Sequence, residues 1–259
     1  ASSGGTNVFY DVHPANLIIV RTNPGPNEYS SLAAAIAAAA SPSTSNRYVI
    51  HIYPGTYSSP SFTVPSWVFV RGEDRDTCIL TQTGSGSFVE MSADSGLCEI
   101  KIRNASSATP AILIDDQPGE VIIRNLTMEG CSAGILVSVS ISATASTTVT
   151  LENSVIRSAL TYALAVGNDV GSSFGADITI NGLEINGHAD NGLIFDGALT
   201  TASIQDSKLL GDGTGVGVLV TTSAFLDFAS SVVSGWTTGI SVPVGGSPRL
   251  YTTGNVFQT

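Results

Sequence analysis

Residues 121–128, VIIRNLTM, and residues 149–156, VTLENSVI, decide the fold. Each is a short alternating apolar–polar strand, an Asn, and a second short strand. Alternation with period 2 is the mark of a strand with one face buried. The same unit recurs along the chain: EIKIRN ending at Asn104, VIIRN at Asn125, VTLEN at Asn153, ITING at Gly182, ASIQD at Asp206 and LDFAS at Ser230, with RLYTT at Thr253 a poorer fit. Successive ends are separated by 21, 28, 29, 24, 24 and 23 residues. A third strand follows each pair: AILI from Ala111, GILV from Gly134, ALAV from Ala163, GLIF from Gly192, GVLV from Gly217 and GISV from Gly239.

Three short strands per repeat, repeated at nearly constant spacing, cannot bury an apolar face alone. Stacked coils can, at about 4.8 Å per coil. The reading is an all-β chain, a single-stranded right-handed parallel β-helix with three strands per coil. Asn at the first corner has a physical reason. It tolerates left-handed backbone, and its amide can bond to the coil above. Asn104, Asn125 and Asn153 are expected to form a short ladder, with Gly182, Asp206 and Ser230 taking over the bend.

A stack exposes an apolar cross-section at its first coil. Ser30-Ser31 offer an N-cap, Leu32-Ala33-Ala34-Ala35-Ile36 carry helix propensity, and Pro42 lies just past the end. A short N-terminal capping α-helix across the open end is expected. Residues 1–28 read as an N-terminal extension, 29–47 as the capping helix and linker, and 48–259 as the β-helix, which starts at the strand YVIHI, Tyr48–Ile52. No closing helix follows Phe257. The stack is therefore expected to continue in a longer chain or to be covered by a neighbour.

Composition limits the function. Of 259 residues, 12% are charged and 42% hydrophobic, 27 are Gly, and the net charge is −11. Such acidity argues against nucleic acid and against anionic membrane surfaces as partners. The longest apolar run, Leu32 to Ala40, is far too short to span a bilayer. Cys78, Cys98 and Cys131 show no metal spacing and read as small buried residues. His13, His51 and His188 are scattered, and Asp212-Gly213-Thr214-Gly215 is a turn with too few acids for calcium. No cofactor and no metal is expected.

The stretches AAIAAAA, VIHIYPGTY and VFVRGEDRDTCIL resemble the opening of the pectin-lyase-like superfamily, as found in pectin methylesterases and in many virus and phage surface proteins. The resemblance implies the same right-handed β-helix. It does not carry over the esterase residues. Tyr57 is followed by Ser58-Ser59-Pro60 where that family has a Glu, and no QAVAL, DFIFG or LGRPW occurs. Leu226-Asp227-Phe228-Ala229 is the nearest look-alike and reads as a coil strand with Asp227 pointing out. Polygalacturonase-like glycosidases need clustered carboxylates, often as Asp-Asp, and Asp115-Asp116 is the only pair of adjacent aspartates.

Two surface features follow from the alignment. Glu99, Lys101, Arg103, Glu120, Arg124 and Glu152 are expected outward on one sheet over three successive rungs, with Arg103 below Arg124 and Glu152 above. That patch, Lys101, Arg103, Arg124 and Glu152, is either a surface ion-pair ladder or a site at which two guanidinium groups grip a sugar acid. Trp67, Trp236 and Tyr162 could stack on sugar rings. On the third strand Leu113, Leu136, Ala165, Ile194, Leu219 and Ser241 are expected to face outward, a mostly aliphatic stripe that monomers rarely leave bare. A homotrimer burying Leu113, Leu136, Ile194 and Leu219 would cover it.

The resulting expectation is a structural or carbohydrate-contacting, non-catalytic β-helix, part of a virus particle, phage spike or cell-surface fibre, located on the virion surface or outside the cell, with a polysaccharide as possible partner. The alternative is a polysaccharide-degrading lyase or glycoside hydrolase.

Overall fold

The repeat corner is set by a column of residues in left-handed backbone. In the computed structural model φ is +55° at Glu99, +48° at Asn125 and Asn153, +69° at Gly182, +50° at Asp206, +51° at Ser230 and +66° at Gly254. The structure describes residues 16–103, 109–140, 145–157, 161–168, 175–187, 190–197, 199–221, 224–242, 249–254 and 256–258. All strand pairs named below are parallel. Among the described residues a sheet of 17 strands holds the two legs flanking that corner, and a sheet of 8 strands holds the third leg of the coils.

Inward columns are stacked like on like. Val70, Leu97, Ile123, Leu151, Ile180, Ile204 and Phe228 succeed one another and are all at most 1% exposed. Their register is continuous from Val70↔Leu97 through Ile204↔Phe228. On the third leg Ile112, Ile135, Leu164, Leu193 and Val218 do the same, and Ile240 packs against them from a partly buried position. Each aliphatic side chain thus meets another one coil away. Burying such a side chain stabilises by about 1.5–3 kcal/mol, so the repeat is energetically self-consistent along its length.

The first step differs from the sequence reading. The corner preceding Asn125 is Glu99, so that coil spans 26 residues (99 to 125), not 21. Strand Ser95–Arg103 runs straight through the corner, pairing Cys98 with Arg124 before it and Lys101 with Thr127 after it. EIKIR is therefore mostly the second leg of its coil. The cause is physical: apolar–polar alternation is the same on both sides of the bend, so it fixes the face but not the phase. Asn104 lies outside the described residues. At the other end the corner is Gly254, one residue beyond Thr253, which pairs with Ala229.

Side-chain amides do not carry the corner alone. Asn125 Nδ2 donates to Glu99 Oε1 at 2.6 Å. Just after the corner, buried serines join the coils. Ser154 Oγ accepts from Leu126 N at 3.2 Å, Ser207 Oγ from Leu183 N at 3.2 Å, and Ser231 Oγ from Ser207 N at 3.1 Å. Each hydroxyl donates in turn to the carbonyl two residues earlier, on Glu152, Gln205 and Ala229.

The helix runs from Leu32 to Ala38, capped by Ser31 Oγ accepting from Ala34 N at 3.3 Å. Leu32 and Ala35 are buried in the same core cluster as Val20, Ile50 and Ile52, as expected for an end plug. The sheet begins before it, however. Leu17–Val20 pairs in parallel with Val49–Ile52, placing a strand inside the segment read as an extension.

The third-leg stripe is in register as expected. Leu113, Leu136, Ala165, Ile194, Leu219 and Ser241 form one outer column. Ala165 is buried, and the other five are half-buried rather than bare.

Candidate functional site

The phase correction divides the charged patch in two. On the leg before the corner, Arg124 follows Cys98 and is followed by Glu152, with Arg124 Nε 2.8 Å from Glu152 Oε2. On the leg after it, Arg103, Glu129 and Arg157 stand in one column. Arg103 is therefore opposite Glu129 and not below Arg124. Glu129 receives Lys101 Nζ at 3.6 Å, Arg103 at 3.3 Å and Arg157 at 3.5 Å. Lys101 Nζ also lies 3.2 Å from Asp76 Oδ1.

The loop before Cys78 is folded by its own sequence. Asp74 Oδ1 accepts from Asp76 N at 2.9 Å and Thr77 N at 3.1 Å, an Asx turn. That turn brings Asp76 to Lys101 and lets Arg75 donate to Asn153 O at 3.1 Å. Glu129, the centre of the network, was missed in the sequence. It stands four residues after Asn125, as Arg157 stands four after Asn153, so a correctly phased alignment would have found it.

Each cation of the patch thus faces a carboxylate on a neighbouring coil. The arrangement has the geometry of a surface ion-pair ladder. Such pairs at partly exposed positions contribute little. Arg124→Ala is expected to shift the midpoint of urea unfolding by less than about 1 kcal/mol equivalent. A loss several times larger would mean that Arg124 is part of the core.

Other candidates resolve individually. Trp236 is 4% exposed and donates from Nε1 to Leu209 O at 3.0 Å, so it packs the interior and cannot stack on a sugar. Tyr162 is half-buried. His51 packs edge-on against Tyr53, and burial, with Arg71 adding to it, lowers its pKa from 6.5. His13 and His188 lie outside the described residues. Cys78, Cys98 and Cys131 are buried and form no disulfide with one another, and burial pushes the Cys98 thiol up to about 12. Asp116 accepts from Ser140 N at 2.6 Å and from its hydroxyl, a corner role. Asp212 accepts from Thr214 N at 3.2 Å within its turn. Among the described residues no group of three His, Cys, Asp or Glu is placed to hold a metal.

The outer face of the first leg carries an open groove of about 290 Å³ that the sequence reading did not single out. Asp177, Thr201 and Phe225 form one column along it, and Thr179, Ser203 and Asp227 the next. The Thr201 hydroxyl donates to Asp177. Phe225 is 37% exposed. The groove thus combines an aromatic face with carboxylate and hydroxyl groups, the two kinds of surface a sugar ring presents in complement.

No protein-family model matches the chain, and no curated protein matches it in sequence. Solved structures do match. Pectin methylesterase PemA from Erwinia chrysanthemi superposes with a TM-score of 0.64 at 13% identity, over 93% of this chain and 89% of that one. The Aspergillus niger pectin methylesterase gives 0.60 at 16% identity, over 95% and 87%. This chain shares their fold, a right-handed parallel β-helix. ORF18 of Geobacillus virus E2 shares the fold with a TM-score of 0.50 at 11% identity, over 86% of this chain and 56% of that one. At these identities the likeness is one of fold. In this β-helix the look-alike Asp227 stands between Ser203 and Tyr251 in its column, with no second carboxylate at those two positions.

Proposed function

We propose that this β-helix is a non-catalytic, carbohydrate-contacting module of a virus particle or an extracellular fibre. The observation that carries the reading is the open groove around Phe225, with Asp177, Asp227, Thr179, Thr201 and Ser203 on its rim. The missing esterase motifs support it from the sequence, and the fold shared with a phage protein supports the setting.

A panel of acidic and neutral glycans tests it, with binding, reducing ends and the absorbance of unsaturated products followed together. Binding without product, weakened in Phe225→Ala, is the expected result. Product formation that is lost in Arg124→Ala would establish the lyase or hydrolase reading instead.

The same proposal includes assembly as a homotrimer about the third-leg sheet. From Leu113 to Leu219 the outer column contains only aliphatic residues. Parallel copies would meet coil against coil along it, which suits the constant spacing of a solenoid. Light scattering is expected to give three times the 26.5 kDa chain mass, and Leu136→Glu to give monomer. A stable wild-type monomer at micromolar concentration would contradict the assembly.

A further inference from the structure

A second, smaller cavity lies on the same outer face near the capped end. Its volume is about 150 Å³, and Arg47, Trp67, Asp94 and Glu120 form its wall. Arg47, Trp67 and Asp94 each precede a first-leg strand, at Tyr48, Val68 and Ser95, and Glu120 is the second residue of the strand Gly119–Glu129, just before Val121 pairs with Ser95. They are therefore one vertical column, fixed by Tyr48 N donating to Trp67 O at 3.0 Å and Trp67 N to Asp94 O at 2.8 Å. Two residues further on, Phe69, Gly96 and Ile122 form the next outer column, and Phe69 and Ile122 are the floor of the cavity. Gly96 has no side chain, so a gap opens between the ring of Phe69 and the side chain of Ile122. Both of these are nearly buried.

Three features mark this gap as a place for a ligand. Arg47 Nε is buried and has no hydrogen-bond partner, a condition that costs stability unless an acceptor arrives. The Arg47 guanidinium is held 5.3 Å from the centre of the Trp67 ring. Trp67 itself has φ of +66°, a conformation in which a bulky aromatic is a true outlier.

We propose that this cavity binds one neutral pyranose unit of a glycan. A cavity of about 150 Å³ accommodates one six-membered ring. The apolar floor would meet the C–H face of the sugar, Arg47 would donate to a ring or hydroxyl oxygen, and the carboxylates of Asp94 and Glu120 would accept from hydroxyls. Two carboxylates against one cation disfavour a uronate. The chemistry is thus the reverse of the sugar-acid grip considered for Arg103 and Arg124. The proposal rests on the carbohydrate-contact reading and adds the location and class of one bound unit.

The test titrates the full chain with methyl glucoside, methyl galactoside, methyl mannoside and galacturonate, each to about 50 mM, since single sugars bind near the millimolar range. Tryptophan emission reports binding, because Trp67 lines the cavity while Trp236 is buried elsewhere. At least one neutral glycoside is expected to shift the emission, with galacturonate silent. Glu120→Gln should weaken that binding at least tenfold, and Gly96→Val should abolish it, with Phe225→Ala leaving it intact. Glu120 is exposed, so its variant keeps the fold, and circular dichroism melts check this. No response to any neutral glycoside, equal response to galacturonate, or unchanged affinity in Glu120→Gln overturns the proposal. Glycan binding that persists in the panel while single sugars leave Trp67 silent overturns the cavity alone and spares the groove.

Discussion

Gly134→Ala is expected to destroy the stack locally and to destabilise the chain by at least about 4 kcal/mol, in the range reserved for severe core disruption. The position lies on the third leg, in the column that continues at Ala163 and Gly192 of the next two coils. A Cβ on Gly134 would stand 1.9 Å from the Ala163 carbonyl oxygen and 2.7 Å from its carbon. Both are backbone atoms, so no rotamer change can relieve the clash. Coil spacing is fixed near 4.8 Å by the parallel hydrogen bonds on either side. The two coils would have to part, breaking pairs such as Ile135↔Leu164. Gly167→Ala is the control on the same sheet. Its Cβ would have nothing within 4 Å, so it should be neutral or stabilise by less than about 1 kcal/mol. Urea unfolding of both variants followed by circular dichroism decides the matter. Equal midpoints for the two would remove close coil approach as the reason for glycine at 134.

Most of the architecture was legible because a solenoid repeats its instructions. The inward column at Val121, Val149 and Ile178, the third-leg stripe from Leu113 to Leu219, and the helix at Leu32 each follow from pattern and capping chemistry. What failed was phase. Ile100-Lys101-Ile102-Arg103 alternates as a first leg would, but Glu99 takes the left-handed corner that Asn, Gly, Asp or Ser takes in the later coils. A glutamate there, with its longer side chain, gives no sequence warning. That single slip moved Lys101 and Arg103 onto the wrong leg and hid Glu129. The cavity at Trp67 was invisible for a different reason. It depends on the absence of a side chain at Gly96 between Phe69 and Ile122, and on Arg47 and Glu120 lining one cavity while 73 positions apart (47 to 120). Period and composition carry no information about such a gap.

The serine column was equally hidden, because Ser154, Ser207 and Ser231 look like ordinary turn residues. Its removal is the second large effect expected. At the corner the chain turns through left-handed residues, and the next amide meets a hydroxyl one coil on: Leu183 N reaches Ser207 Oγ and Ser207 N reaches Ser231 Oγ. Both serines are 1% exposed, so water cannot substitute once the hydroxyl is gone. Ser207→Ala strands the Leu183 N–H and removes the donor to Gln205 O. A buried group left unsatisfied costs about 1–3 kcal/mol, and that is the loss expected for the single variant. Ser231→Ala strands the Ser207 amide in the same way. Because Ser207 stands in both bonds, the double variant should depart from additivity by about 0.5 kcal/mol or more. Thr at 207 keeps the hydroxyl and should recover much of the loss. If Ser207→Ala instead unfolds at the wild-type urea concentration, the amides at this corner have another acceptor, and the coils are joined by strand pairing and core stacking alone.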